Sequence, residues 1–137
     1  MDISKIPAPS FVLEESRLRK NLEIINHVQK EAGVQIILAF KGFAMWSAFP
    51  IVREYVSGAT ASSLHEARLC FEEMHTESHT YAVAYLPREF GKIMQYSSHI
   101  TFNSIGQWKR YHRRVLNHSK KISPGIRVNP GWSPVGT

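Results

Sequence analysis

The sequence predicts an α/β protein built on a parallel sheet. Three observations carry this. Short apolar or β-branched runs alternate with segments of helical periodicity. The runs start near residues 34, 59, 80, 100 and 122, a spacing of roughly 20–25 residues, about one strand–helix unit. Helix-start signals recur between them: Ser63-Leu64-His65-Glu66 and Ser104-Ile105-Gly106-Gln107 both place Ser three residues before Glu or Gln. Strands alternating with helices must run parallel, because each helix carries the chain back to the same sheet end. Two closures satisfy that pattern, an open doubly wound sheet or part of an eight-stranded barrel. Five units would complete the first and stop partway round the second.

Taken in order, the first helix spans residues 16–32. Ser16 is placed to cap it and Gly33 to end it. Leu18, Leu22, Ile25 and Val28 form its apolar stripe. Residues 34–40 read as a buried strand. A second helix covers 48–56, with Pro50 in its first turn. A short strand at 59–61 leads into the helix opened by Ser63, which ends near Met74. Strands follow at 81–84, 100–102 and 122–128, with helices at 87–96 and from Ser104 to about Asn117. Asn129-Pro130-Gly131 closes the last strand. No helical pattern follows it, which reads as truncation.

Composition narrows the class. The chain has 137 residues, 43% hydrophobic and 20% charged, with a formal charge of +6. That is the stock of a globular domain, not of a disordered chain. No apolar run approaches the roughly 18 residues of a membrane span, and the first ten residues lack the pattern of a signal peptide. A single cysteine, Cys70, excludes an intrachain disulfide and suits a reduced, cytoplasmic setting. The basic balance permits an anionic partner. Yet along residues 105–116 the apolar Ile105, Trp108, Tyr111, Val115 and Leu116 gather on one side and Lys109, Arg110, Arg113 and Arg114 on the other. This reads as the solvated face of a packed helix, with no aromatics interleaved for nucleic acid. His75 and His79 stand four apart, but across an expected loop and with no third ligand, so no metal is expected. Cys70 is expected in the core.

Lys41 is the residue most suggestive of chemistry. It follows the most apolar strand, Ile36-Ile37-Leu38-Ala39-Phe40, and active sites of α/β folds lie at the carboxyl ends of strands. Ala39 shares its face and leaves room for a flat group beside the amine. An apolar pocket would favour the neutral amine, which can condense with an aldehyde. Arg127 ends the last strand, on one face with Asn129. Ser63 and Glu66 read as a helix cap that also stands on the rim.

Several segments carry a more specific signal. Phe11-Val12-Leu13, Leu38-Ala39-Phe40-Lys41-Gly42-Phe43-Ala44-Met45-Trp46, Thr60-Ala61-Ser62-Ser63-Leu64-His65-Glu66-Ala67-Arg68, Phe102-Asn103-Ser104 and Arg127-Val128-Asn129-Pro130 together resemble the N-terminal part of the carboxynorspermidine (carboxyspermidine) decarboxylases. These are a branch of the alanine racemase-like, fold-type III pyridoxal phosphate enzymes. The Ala-x-Lys ending is shared across the group, and Lys-Gly-Phe-Ala-Met-Trp is more particular to the branch. Ornithine-type members have an acidic residue near the position of Thr60, so Thr60 fits this branch better.

The resemblance implies residues 15–137 as the first five or so strands of a (β/α)8 barrel. It assigns residues 1–14 a strand belonging to a β-domain outside this chain. It implies that Lys41 binds pyridoxal 5'-phosphate covalently and acts in catalysis, that Arg127 contacts the cofactor region, and that Ser63 and Glu66 support the Lys41 pocket. The implied substrate is a small carboxylated polyamine, decarboxylated to norspermidine or spermidine in polyamine biosynthesis. The implied assembly is a homodimer, with neither nucleic acid nor membrane as partner, and this chain alone is expected to be inactive. Competing readings are another member of the group, such as a diaminopimelate decarboxylase or a racemase, and a pyridoxal phosphate-binding barrel without catalysis. A basic nucleic-acid-binding domain is a third.

Overall fold

A computed structural model describes residues 3–135. Met1, Asp2, Gly136 and Thr137, at the ends of the expected N-terminal segment and barrel, lie outside the described residues. After a short 3-10 turn at Ile3–Lys5 come five α-helices and five strands, with a second 3-10 turn at Trp46–Ala48, among the described residues: α1 (Glu15–Ala32), β1 (Leu38–Ala39), α2 (Phe49–Val52), β2 (Ala59–Ala61), α3 (Leu64–Glu73), β3 (Ser78–Tyr81), α4 (Pro87–Tyr96), β4 (Ser97–Phe102), α5 (Ile105–Leu116) and β5 (Ser123–Ile126). The strands form one sheet in the order β1-β2-β3-β4-β5. Every neighbouring pair is parallel.

That order decides between the two closures. A doubly wound sheet reverses its strand order and covers both faces with helices. Here each strand lies beside its sequence neighbour, and one face alone is buried. Ala59, Ala61, Ser78, Thr80, Ile100 and Phe102 are buried toward the helices, while Thr60, His79, Tyr81 and Thr101 are half-buried and His99 is exposed on the other face. This is a singly wound sheet, the arrangement that curls into a barrel.

Local chemistry explains most elements. Gly33 ends α1 with φ 62°, donating to the Gln29 and Lys30 carbonyls. Ser63 Oγ accepts from Glu66 N and Ser104 Oγ from Gln107 N, each at 3.1 Å. The reciprocal bonds go one residue earlier than in a simple capping box: Glu66 accepts from Ser62 N at 2.6 Å and Gln107 from Asn103 N at 2.9 Å. Each strand-to-helix corner is thereby tied on both sides.

Several expectations need correction. Ser16 does not cap α1; Glu14 holds that position, and Ser16 Oγ donates to its carboxylate. Val28 is 48% exposed, and Gln29 faces inward instead. Its side chain donates to the Tyr55 carbonyl and accepts from Ile36 N, so it stitches α1 to the segment before β1 and to the one between α2 and β2. The strand expected at 34–40 pairs only at Leu38–Ala39, because β1 is an edge strand with its sheet partner on one side. The second helix keeps its Pro50 start but ends at Val52. β3 begins three residues earlier than expected, since His75 turns the chain with φ 53° and frees Ser78 to pair. On α5, Ile105 and Leu116 are exposed, and Trp108, Tyr111 and Val115 do the packing.

A bulge between β3 and β4 has further consequences. Ser78 pairs with Ser97, but His79 pairs with His99, so Ser98 is the extra residue. One inserted residue reverses the alternation. Ser97 and Ile100 therefore both face the helices, and His99 faces the open side. Ser97 joins Ser78 and Thr80 in a buried hydroxyl cluster, with Oγ1 of Thr80 2.7 Å from Oγ of Ser97, and Ser97 donates to the Ile93 carbonyl.

Two apolar clusters fill the space under the helices. One joins Leu22, Phe40, Phe49, Val52, Val56 and Cys70. Cys70 is fully buried, as expected, and burial pushes its thiol up to about 11. The second centres on Tyr85, whose ring meets Phe90, Phe102 and Tyr111. Its hydroxyl lies 2.8 Å from the Thr101 carbonyl and accepts from Ala82 N. No described helix is long and apolar enough to cross a membrane.

Candidate functional site

The carboxyl ends of the strands carry the candidate site. β1 stops in a tight turn: Gly42 N and Phe43 N both donate to the Ala39 carbonyl, at 2.8 and 3.1 Å. Lys41 sits at its apex, exposed, with no hydrogen bond or ion pair among the described residues. Its expected apolar pocket is not closed here, because the face it shares with exposed Ala39 is the uncovered face of the sheet. Beside it opens a cavity of about 770 Å³, lined by Phe11, Val12, Phe43, Met45 and Trp46 among others. Phe11–Leu13 run there with neither helix nor strand pairing.

At the opposite side of the sheet, Arg127 follows β5. Its backbone N donates to the Phe102 carbonyl at 2.9 Å. Its Nη1 donates to Tyr81 Oη at 2.6 Å, and its Cζ stands 5.5 Å from the Tyr81 ring centroid. Tyr81 Oη in turn donates to Asn103 Oδ1 at 2.7 Å. Three strand ends are thus linked, β3 through Tyr81, β4 through Asn103 and β5 through Arg127. Arg127 forms no ion pair among the described residues, so its charge faces the open side uncompensated by a carboxylate.

Lys41 and Arg127 lie on the same rim but do not touch. Four strand spacings separate β1 from β5, about 19 Å along a flat sheet and less across a curled one. Ser63 and Glu66 are committed to the corner before α3, as the capping reading expects. His75 and His79 do not converge. His79 instead stacks on His99 with ring centroids 3.8 Å apart, one row below Tyr81 on the same face. Burial, and then the neighbouring His99, hold His79 below the usual histidine range. No group of three or more metal-ligating side chains occurs among the described residues.

The sequence reading missed Tyr81 and Asn103. Its signal for Tyr81 was misread, because a strand placed at 81–84 makes Tyr81 the amino end of β3 when it is the carboxyl end.

No protein-family model matches the chain. A carboxyaminopropylagmatine decarboxylase from Synechocystis sp. is 47% identical over 135 residues, covering 98% of this chain and 34% of that protein. A carboxynorspermidine/carboxyspermidine decarboxylase from Campylobacter jejuni is 41% identical over 133 residues, 97% of this chain and 34% of that protein. The chain is homologous to the carboxynorspermidine/carboxyspermidine decarboxylases. The one from Herminiimonas arsenicoxydans is 36% identical over 128 residues. The crystal structure of carboxynorspermidine decarboxylase from Campylobacter jejuni, complexed with norspermidine, superposes with a TM-score of 0.82 at 40% identity, over 87% of this chain and 31% of that one. The five-stranded sheet matches the N-terminal part of that decarboxylase. The chain spans about a third of the length of the curated relatives it matches.

Proposed function

We propose that this chain forms the N-terminal third of a pyridoxal phosphate-dependent decarboxylase acting on a carboxylated polyamine. The supporting observation is a primary amine at the apex of the β1 turn, on the rim that also carries a clamped, uncompensated arginine, in a chain homologous to decarboxylases. The residues fit the cofactor. Ala39 and Gly42 leave the surroundings of Lys41 open, and the apolar wall of Phe43 and Trp46 suits a flat ring. The chemistry pyridoxal phosphate supplies when bound is a sink for the electron pair left as a carboxylate departs. Overall one C–C bond breaks, CO2 leaves and the same carbon takes up one proton. Lys41 Nζ is the attachment point and the group that yields its place to the substrate amine. Arg127 supplies fixed positive charge to an anionic group at the strand ends. The complete protein is proposed to work as a homodimer, readable by sedimentation.

The products proposed are norspermidine or spermidine. The identity of 47% to a carboxyaminopropylagmatine decarboxylase favours testing that substrate beside the other two. The deciding experiment treats the complete protein with pyridoxal phosphate and borohydride, then maps the modified peptide. The adduct is expected on Lys41 and is lost in Lys41→Ala, together with CO2 release from all three substrates. An adduct elsewhere, or full turnover by Lys41→Ala, rejects the reading.

A further inference from the structure

Arg127 would be a poor anion ligand if it were loose. A long exposed side chain loses rotamer entropy when a ligand fixes it, and that loss weakens binding. Here the fixing is already done, and by a neutral group. Tyr81 grips the guanidinium through its hydroxyl at 2.6 Å and its ring at 5.5 Å. The hydroxyl is itself oriented, because its proton goes to Asn103 Oδ1 at 2.7 Å. Asn103 is held in turn through its backbone N, which donates to Gln107 at the corner opening α5. The order of restraint runs from helix cap to amide to phenol to guanidinium. A carboxylate would hold Arg127 as firmly but would cancel its charge. A phenol leaves the charge whole and spends one of the five N–H donors of a guanidinium.

We propose that Tyr81 is a positioning residue, aided by Asn103, that presents Arg127 to an oxyanion bound at the carboxyl ends of the strands. This rests on the reading that pyridoxal phosphate binds on that rim. The oxyanion is either the cofactor's phosphate or the substrate's carboxylate, and the two are separable. Tyr81→Phe keeps the ring under the guanidinium and removes only the oxygen; Asn103→Ala frees the phenol to rotate.

The test uses the complete protein stripped of cofactor. Pyridoxal phosphate affinity is read by absorbance titration, and KM and kcat are then read at saturating cofactor. Tyr81→Phe is expected to weaken cofactor binding, or to raise KM with kcat little changed, by roughly tenfold, the scale of one hydrogen bond to a charged group. The first outcome assigns the phosphate and the second the carboxylate. Asn103→Ala is expected to shift the same constant in the same direction. In an Arg127→Gln background, Tyr81→Phe should add nothing. Wild-type protein that takes up no pyridoxal phosphate overturns the reading of the site and this role with it. Uptake by the wild type with both constants unchanged in Tyr81→Phe and Asn103→Ala overturns the role of Tyr81 alone. So does a Tyr81→Phe effect of full size without Arg127. Should Tyr81→Phe not fold, the Asn103→Ala result in the two Arg127 backgrounds decides.

Discussion

His79 and His99 face each other across the β3–β4 pair, on the face that also bears Tyr81. Burial and the second ring both disfavour a proton on His79, whose pKa is lowered from the ordinary 6.5. The folded chain therefore binds fewer protons than the unfolded chain between that lowered value and 6.5. Stability should be full above this window and fall as the pH drops through it. Thermal unfolding followed from pH 7.5 down to pH 5 should show the loss, and His79→Gln should flatten it. An unchanged slope in His79→Gln would place the acid sensitivity elsewhere. Neither histidine could be paired from the sequence. Their meeting depends on one bulged residue, Ser98, and composition carries no mark of a bulge.

Among the elements, those with covalent or capping signatures were legible. Pro87, Ser63, Ser104 and Gly33 mark helix ends that the structure keeps. Their signal is local, a fixed φ or a side-chain acceptor within three residues, so it survives any tertiary context. Gly33→Ala tests this directly. A Cβ there would meet nothing within 4 Å, so its cost is purely that of the left-handed backbone at φ 62°, about 1 kcal/mol. The denaturation midpoint should fall with the slope unchanged. Strand limits were less legible. The limits of β1 and β3 differ from those expected because apolar residues such as Ile36 and Ile37, or Ala82 and Val83, signal burial, whereas pairing depends on which neighbour is in register.

At the scale of the molecule, the sheet has one finished face and one open one. Phe11 is fully exposed, Trp46 62% and Val128 79%, large apolar groups with nothing over them among the described residues. β1 and β5 each pair on one side only. Such edges and patches invite association. The 137-residue chain by itself should thus self-associate in light scattering and release no CO2 from carboxynorspermidine. A monodisperse, active chain would contradict the proposal that this chain forms only the N-terminal third of the enzyme. The candidate site was legible to the same degree as the fold. Lys41 and Arg127 could be singled out because each is a cationic residue following or closing an apolar run, which needs only an approximate strand limit, while Tyr81 and Asn103 could not, because they matter only through contacts across three strands.

The sequence by itself determined the alternation of strand and helix, the parallel sense of the sheet and the lysine at the end of the first apolar run. These follow from periodicity and from short-range chemistry within a few residues. Only the tertiary structure decided that the strands lie in sequential order with one face open, that a bulge turns His99 toward His79, and that a tyrosine from one strand holds the arginine of another. Those outcomes are set by register between segments some twenty residues apart or more, where free-energy differences come from packing and pairing that no local pattern encodes.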